Sequence, residues 1–302
     1  MAVLSNMSMT TVSSCLMFYL LSTCFVLACL VSSSFGDLQR FEQPIKDDGS
    51  VSFLVVGDWG RKGLYNQSHV AYQMGRIGEM QDIDFVISTG DNFYDDGLKG
   101  VDDPAFQESF MNIYTAPSLQ KQWYTVLGNH DYRGDVEAQL SPILTQLDSK
   151  WLCLRSYVVA AEIVDFFFVD TSPFVESYFT KPEPGQTYDW RGVTPQKSYI
   201  ARQLEENNVD LYLNGHDHCL QHITSTKGSG KLEFVTSGGG SKAWNGYIQK
   251  EKDGLKFFHD GQGFVSMEVT PKVAKIVFYD VFGQVLYHFH MYKELVQLHF
   301  FS

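Results

Sequence analysis

Asp84-Phe-Val-Ile-Ser-Thr-Gly-Asp91 decides the fold: an apolar run that predicts a β-strand is followed at once by a glycine and an acidic side chain. The same order of features recurs in three more places, Val55-Val-Gly-Asp58, Val126-Leu-Gly-Asn-His-Asp131 and Leu213-Asn-Gly-His-Asp-His218. A glycine lets the chain turn sharply and removes a Cβ that would crowd the turn. Because parallel strands end at one edge of a sheet, we expect the four sets of polar side chains to meet there.

The donor atoms at these strand ends favour a particular group of metal ions. Mixed carboxylate, amide and imidazole donors suit Fe, Mn or Zn better than Ca or a structural cysteine site. A single Gly-Asp pair would indicate no more than a turn. Four such turns, each after a predicted strand, predict a metal centre.

The rest of the chain alternates apolar runs with helical patterns. Val51–Val56 is a predicted strand, the spacing over Ser68–Gln81 predicts a helix, and Ala138–Leu147 has a second helical pattern. This alternation predicts an α/β fold with parallel strands, whereas the short runs after Lys231 are typical of antiparallel hairpins. The first helix is predicted to bury a stripe of apolar side chains: Val70, Met74, Ile77 and Met80.

Composition and charge reduce the number of function classes that this chain can belong to. The 302 residues are 44% hydrophobic and 15% aromatic, which is typical of a folded protein. A net charge of −12 argues against a nucleic-acid partner, which usually meets a basic surface. An acidic protein that acts on an anionic substrate needs local positive charge, and a bound metal supplies it.

The amino-terminal segment predicts export. Cys15–Val31 is almost entirely apolar and small residues follow, which indicates a cleaved signal peptide over residues 1–36 and a single domain over 37–302. An uncleaved signal anchor is the alternative, because residues 1–14 contain no Lys or Arg. The Asn66-Gln-Ser sequon predicts glycosylation at Asn66 in a secreted protein.

Only two cysteines lie beyond the predicted signal peptide, Cys153 and Cys219. Two cysteines cannot make a disulfide framework. They are compatible with one disulfide bond or with two buried thiols.

The most specific motif is Gly90-Asp91-Asn92-Phe93-Tyr94. With it, the region from about Gly49 to about Tyr287 resembles the binuclear metallophosphatases, and specifically the small plant purple acid phosphatases. Most metallophosphatases open with Asp-x-His, but this chain has Asp58-Trp59-Gly60, and Tyr94 stands where the purple subgroup has a tyrosinate ligand. The resemblance implies a calcineurin-like α/β fold in which two mixed β-sheets pack as a sandwich flanked by helices.

The resemblance also implies the roles of the site residues. The metal ligands would be Asp58, Tyr94 and His218 for Fe(III), Asp91 as the bridge, and Asn129 and His216 for a second, divalent Fe, Zn or Mn. His130 would stabilise or protonate the leaving oxygen, and Asp131 would orient His130. The implied activity is hydrolysis of small phosphate monoesters by a metal-bound hydroxide. The implied protein is a monomer, secreted or vacuolar, with no membrane span after signal cleavage.

One ligand of the resembled family is missing. Its members have a histidine in a Val-Gly-His-His-like motif, and this chain has no histidine between Asp131 and Gly215. We therefore predict that a strand and its turn are deleted between Val193 and Val209. The alternative function is a deletion isoform with an incomplete second metal site and little phosphatase activity, such as a one-iron redox or regulatory protein. A phosphodiesterase is a third alternative, against which Tyr94 argues.

Three other histidines are candidates for a substitute ligand, namely His69, His222 and His259. We interpret the first two as surface or packing residues, and we do not assign the third as a ligand.

Overall fold

The computed structural model describes residues 38–194, 204, 206–225, 231–244, 246 and 253–293. Apart from Gln39, the first residue of β1, the features below belong to one compact unit, Arg40–Ser302. The predicted signal peptide over 1–36 lies outside the described residues. In the part of the chain that is described, we find no helix long and apolar enough to cross a membrane.

The strands are β1 (Gln39–Glu42), β2 (Val51–Val56), β3 (Phe85–Ser88), β4 (Gln122–Thr125), β5 (Trp151–Cys153), β6 (Ser156–Ala161), β7 (Val164–Val169), β8 (Leu211–Asn214), β9 (Leu220–Ser225), β10 (Leu232–Ser237), β11 (Leu255–His259), β12 (Gly263–Val269), β13 (Val273–Asp280) and β14 (Val285–Tyr292). The α-helices are α1 (Gln67–Gln81), α2 (Pro104–Phe106), α3 (Val136–Leu140), α4 (Pro142–Leu147) and α5 (Glu176–Thr180). A π-helical turn covers Gln107–Met111, and 3₁₀ turns cover Pro117–Leu119, Asp131–Arg133 and Ser172–Phe174.

A seven-stranded sheet forms the centre, in the order β14-β13-β12-β2-β3-β4-β5. Strands β2 to β5 are parallel, which confirms the expectation from the alternating pattern. Strands β12 to β14 extend the sheet as antiparallel neighbours, as the short runs near the end of the chain predicted. The α/β fold class is therefore confirmed.

Both faces of the central sheet are covered, so its strands are apolar on both sides. On one face, α1 and the loops after β3 bury a cluster around Trp59, Phe110 and Trp123. On the other face, Phe53 and Phe85 pack in a cluster that includes side chains of β6, β7, β9 and β10. The architecture is a sheet-on-sheet sandwich with helices on the outside.

The second layer of the sandwich consists of two separate sheets, β1-β6-β7 and β11-β9-β10-β8. Strands β7 and β8 are edges of these sheets. The apolar side chain of Phe167 on β7 is 64% exposed. Among the described residues no strand pairs with the outer side of β7 or of β8, so this layer is divided where the resemblance implied one sheet.

Two local predictions were wrong. Met80 is 68% exposed, whereas the other three members of the predicted α1 stripe are buried, because the buried face of α1 is centred on Ala71, Met74 and Gly78 and Met80 lies outside it. The helical pattern over Ala138–Leu147 forms two short helices, since Ser141 ends α3 and caps α4 by accepting a hydrogen bond from the Ile143 amide. Pro142 then occupies the first turn of α4.

The side chains of Cys153 and Cys219 distinguish between one disulfide bond and two buried thiols. Cys153 and Cys219 are both buried and neither forms a disulfide. They are therefore two buried thiols, one of the two states compatible with the sequence.

Candidate metal centre

The predicted strand ends meet where the central sheet lies beside the four-stranded sheet that contains β8. Asp58 follows β2, Asp91 follows β3 and His216 follows β8, and each has a positive φ, of 60°, 50° and 72°. Side chains other than glycine rarely adopt this conformation, and such residues concentrate at functional sites. The strained backbone turns each side chain sharply out of its strand and toward the common edge.

Three donor atoms cluster around the hydroxyl oxygen of Tyr94. Its oxygen lies 2.9 Å from Oδ1 of Asp58, 3.1 Å from Oδ2 of Asp91 and 2.9 Å from Nε2 of His218. The same Asp58 oxygen lies 3.3 Å from Nε2 of His218. Both carboxylates are buried, with 0% and 1% exposure. Four residues from three separate segments thus direct donor atoms at one point.

This cluster fits a metal ion by two tests. Around an ion with bonds of about 2.1 Å and right angles between neighbours, adjacent donor atoms lie about 3.0 Å apart, as these atoms do. Burial, followed by the charges of Asp58 and Asp91, raises the pKa of the Tyr94 phenol well above its usual range. Burial next to the Asp58 carboxylate likewise raises the pKa of Asp91. A site that crowds acidic groups in this way is one that a cation stabilises.

A second, smaller set of donors lies beside the first. Nδ1 of His216 is 2.8 Å from Oδ1 of Asn129, and the backbone amide of His216 donates to Oδ2 of Asp58 over 2.9 Å. Asn129 is buried but His216 is exposed. The two sets are coupled through Asp58 and Asp91, because the amide of His130 donates to Oδ1 of Asp91 over 2.7 Å.

The other candidate ligands do not join the centre. His222 is buried between Phe289, which it stacks on, and Glu233, to which its Nε2 is 2.9 Å away. His69 is exposed on α1. The interpretation of these two as packing and surface residues is confirmed.

The predicted role of Asp131 as the group that orients His130 was wrong. Its carboxylate accepts hydrogen bonds from the amides of Gly128 (2.8 Å), Asn92 (3.0 Å) and Phe93 (3.1 Å). It therefore ties the loop after β3 to the loop after β4. Nδ1 of His130 instead lies 2.5 Å from the backbone carbonyl oxygen of Asp95.

Two arginines at the centre were missed by the sequence analysis. The guanidinium of Arg61 lies 3.7 Å from the centroid of the Tyr94 ring, and Nη1 of Arg133 lies 3.1 Å from Nδ1 of His130. Burial, opposed by the bond to the Asp95 carbonyl, lowers the pKa of His130 to about 4. Proximity to the motifs was the available signal, since Arg61 follows Asp58 by three positions and Arg133 follows His130 by three.

Comparisons with known proteins agree with this geometry. The calcineurin-like phosphoesterase family matches residues 51–220. The chain is 50% identical to purple acid phosphatase 3 of Arabidopsis thaliana, over 96% of this chain and 91% of that protein. It is 52% identical to purple acid phosphatase 17 of the same plant, over 86% and 90% of the two chains. The solved structure of GAP50, the anchor in the inner membrane complex of Plasmodium, superposes with a TM-score of 0.63 at 21% identity, over 82% of this chain and 90% of that one, and shares the fold.

Proposed function

The chain belongs to the purple acid phosphatases, within the calcineurin-like phosphoesterases, and is an acid phosphatase; from this premise we propose that Asp58, Tyr94 and His218 bind Fe(III). Members of this family are binuclear metal enzymes. Asp91, Asn129 and His216 would hold a second, divalent ion. The single observation that carries the assignment is the cluster of Asp58, Asp91 and His218 donor atoms within 3.1 Å of the Tyr94 hydroxyl.

The substrates in this proposal are small phosphate monoesters. When bound, the two ions supply the Lewis acidity and positive charge for phosphate-ester hydrolysis at acidic pH. The chain's own groups then bind and position the ester. Nδ1 of His130 lies against the Asp95 carbonyl oxygen and therefore carries a proton, so Nε2 is the ring atom left to face the leaving oxygen. Nε2 gives that oxygen a proton from the imidazolium form, which acidic pH favours.

The proposal also covers the processing, the localisation and the oligomeric state of the protein. We expect a signal peptide over residues 1–36, and secretion or delivery to the vacuole of a monomer glycosylated at Asn66. The exposure of Asn66, at the start of α1, supports its use as a glycan acceptor.

We further propose that this chain is shortened between Val193 and Val209. The alignment with purple acid phosphatase 3 runs over 341 positions, more than the 302 residues of this chain, so it contains gaps on this chain's side. The open edges of β7 and β8 and the exposure of His216 support a missing strand beside them. The second ion would then have fewer protein ligands than the ferric ion.

The experiment is to purify the secreted chain and to measure iron, second metal, visible absorption and hydrolysis of 4-nitrophenyl phosphate at acidic pH. We expect two metals per chain, a purple colour and turnover, and we expect His218→Ala to lose the iron and the colour. The matched control is His69→Ala, an exposed histidine on α1, which should keep both. One iron per chain with colour and no turnover would establish the incomplete-site alternative, and a colourless iron-free chain with the fold intact would refute the ligand assignment.

A further inference from the structure

Arg61 is placed against Tyr94 by the backbone of both loops. Gly60 forms an isolated parallel bridge with Phe93, and the Tyr94 amide donates to the Gly60 carbonyl over 2.9 Å. The residue after Gly60 is therefore in register with the residue after Phe93. This register puts the guanidinium of Arg61 3.7 Å from the centroid of the Tyr94 ring.

The arginine is fixed in that position and largely removed from water. Its side chain is 10% exposed, and its Nη1 lies 2.7 Å from Oδ1 of Asp95. Its Nε is buried without a hydrogen-bond partner among the described residues. The backbone amide of Arg61 donates to Oε1 of Gln67 over 3.0 Å, and the ring of Tyr65 lies 5.4 Å from the guanidinium.

The ion pair with Asp95 does not by itself account for the buried position of the Arg61 guanidinium. The Asp95 side chain is 76% exposed, and an exposed pair of this kind contributes about 0–1 kcal/mol. The contact that is shielded from solvent is the one between the guanidinium and the Tyr94 ring. A cation over an aromatic face is attracted by the ring's electron density, and it is attracted more strongly by a phenolate than by a phenol.

We propose that Arg61 is a positioning residue for Tyr94 that stabilises the tyrosinate and raises the energy needed to move an electron from its ring to the ferric ion. The inference rests on the proposed function, since it requires Tyr94 to bind Fe(III). An electron that leaves the ring moves away from the positive charge of Arg61, and this separation costs electrostatic energy. Arg61 therefore shifts the tyrosinate-to-iron absorption band to shorter wavelength and holds the ring in one orientation.

The test compares Arg61→Met, which keeps the length of the side chain without its charge, with Arg61→Lys, which keeps the charge. Iron content is measured in each variant so that spectra are compared per bound iron. Arg61→Met should move the visible band to longer wavelength by on the order of 20 nm, with an effective dielectric constant of about 20. Arg61→Lys should restore most of the wild-type position. The matched control is Lys242→Met, which removes an exposed cation that lies over Tyr65, 5.6 Å from its ring centroid, and should leave the band unmoved.

The experiment distinguishes a failure of the proposed function from a failure of the inference about Arg61. An iron-loaded wild-type chain without a visible band would refute both the proposed function and this inference. A normal wild-type band that stays in place in Arg61→Met at equal iron content would overturn the inference alone. An equal shift in Arg61→Lys would also overturn it, because the charge would then not be the cause.

Discussion

Replacing Asp131 tests how the two acidic loops of the centre are held together. The carboxylate is 0% exposed and accepts from the amides of Gly128, Asn92 and Phe93 over 2.8, 3.0 and 3.1 Å. The side-chain amide of Gln139 adds a fourth hydrogen bond of 2.8 Å. All four partners are donors, so the site is complementary to a carboxylate and not to a neutral amide.

The expected loss in the free energy of unfolding follows from the hydrogen-bond donors that lose their acceptor when Asp131 is replaced. Asp131→Ala leaves the buried amides of Asn92 and Phe93 and the half-buried amide of Gly128 without their acceptor, at about 1–3 kcal/mol each, for a loss of about 3–9 kcal/mol in the free energy of unfolding. Asp131→Asn keeps one acceptor oxygen but turns its own NH₂ toward other donors, and we expect it to lose about 2–4 kcal/mol. Because a domain is stable by only about 5–15 kcal/mol, the asparagine variant is the one that should stay folded and measurable.

The assay is urea unfolding followed by tryptophan fluorescence, with metal content measured on the folded protein. Asp96→Asn is the matched control, because Asp96 is an exposed acid in the same loop and should change the free energy of unfolding little. If Asp131→Asn unfolded at the wild-type urea concentration and altered only the pH profile of turnover, the carboxylate would act on His130 and our account of it as a link between loops would be refuted.

Three further predictions follow from the same contacts. Tyr94→Phe should fold and bind some iron but lack the visible band, because only the hydroxyl reaches the cluster; absorbance per bound iron measures this, and a retained band would exclude Tyr94 as the ligand. Gly128→Ala should be about 1–3 kcal/mol less stable and hold less metal, since its Cβ would lie 2.3 Å from the backbone nitrogen of Asp91; normal metal content and urea midpoint would contradict this. Burial raises the pKa of Asp170 to about 6, against an ordinary 3.8, so the folded state binds more protons between these values and the free energy of unfolding should rise by about 3 kcal/mol as the pH falls through this window. Asp170→Asn should flatten that part of the stability curve, and an unchanged curve would show that other groups cause it.

Much of the centre was predictable because the sequence presents it locally. Each ligand follows an apolar run and a glycine, as Asp91 follows Gly90, and parallel strands bring such ends together without further information. The α/β class followed from the same alternation. The purple subgroup followed from the resemblance carried by Gly90-Asp91-Asn92-Phe93-Tyr94 and Asp58-Trp59-Gly60, and the structure places the Tyr94 hydroxyl 3.1 Å from Asp91.

Contacts between segments that are distant in sequence were not predictable. The partner of Asp131 was taken to be its neighbour His130, yet its hydrogen bonds run to a loop about forty residues earlier. The helical spacing of Met80 matched one edge of a buried stripe, but the face that α1 buries is centred on Ala71, Met74 and Gly78. Helical periodicity shows which side chains share a face, and it does not show where the middle of the covered face lies.

By itself, the sequence determined the type of fold, the donor side chains that we propose hold the metals and the absence of a histidine between Asp131 and Gly215, because these are properties of strand ends and of composition. Only the tertiary structure decided what surrounds those donors: the guanidinium of Arg61 on the Tyr94 ring, and a second layer divided between β7 and β8. The physical reason is that the ligands are set by the order of residues along each strand. Their electrostatic surroundings and the open edges depend on which segments pack against one another.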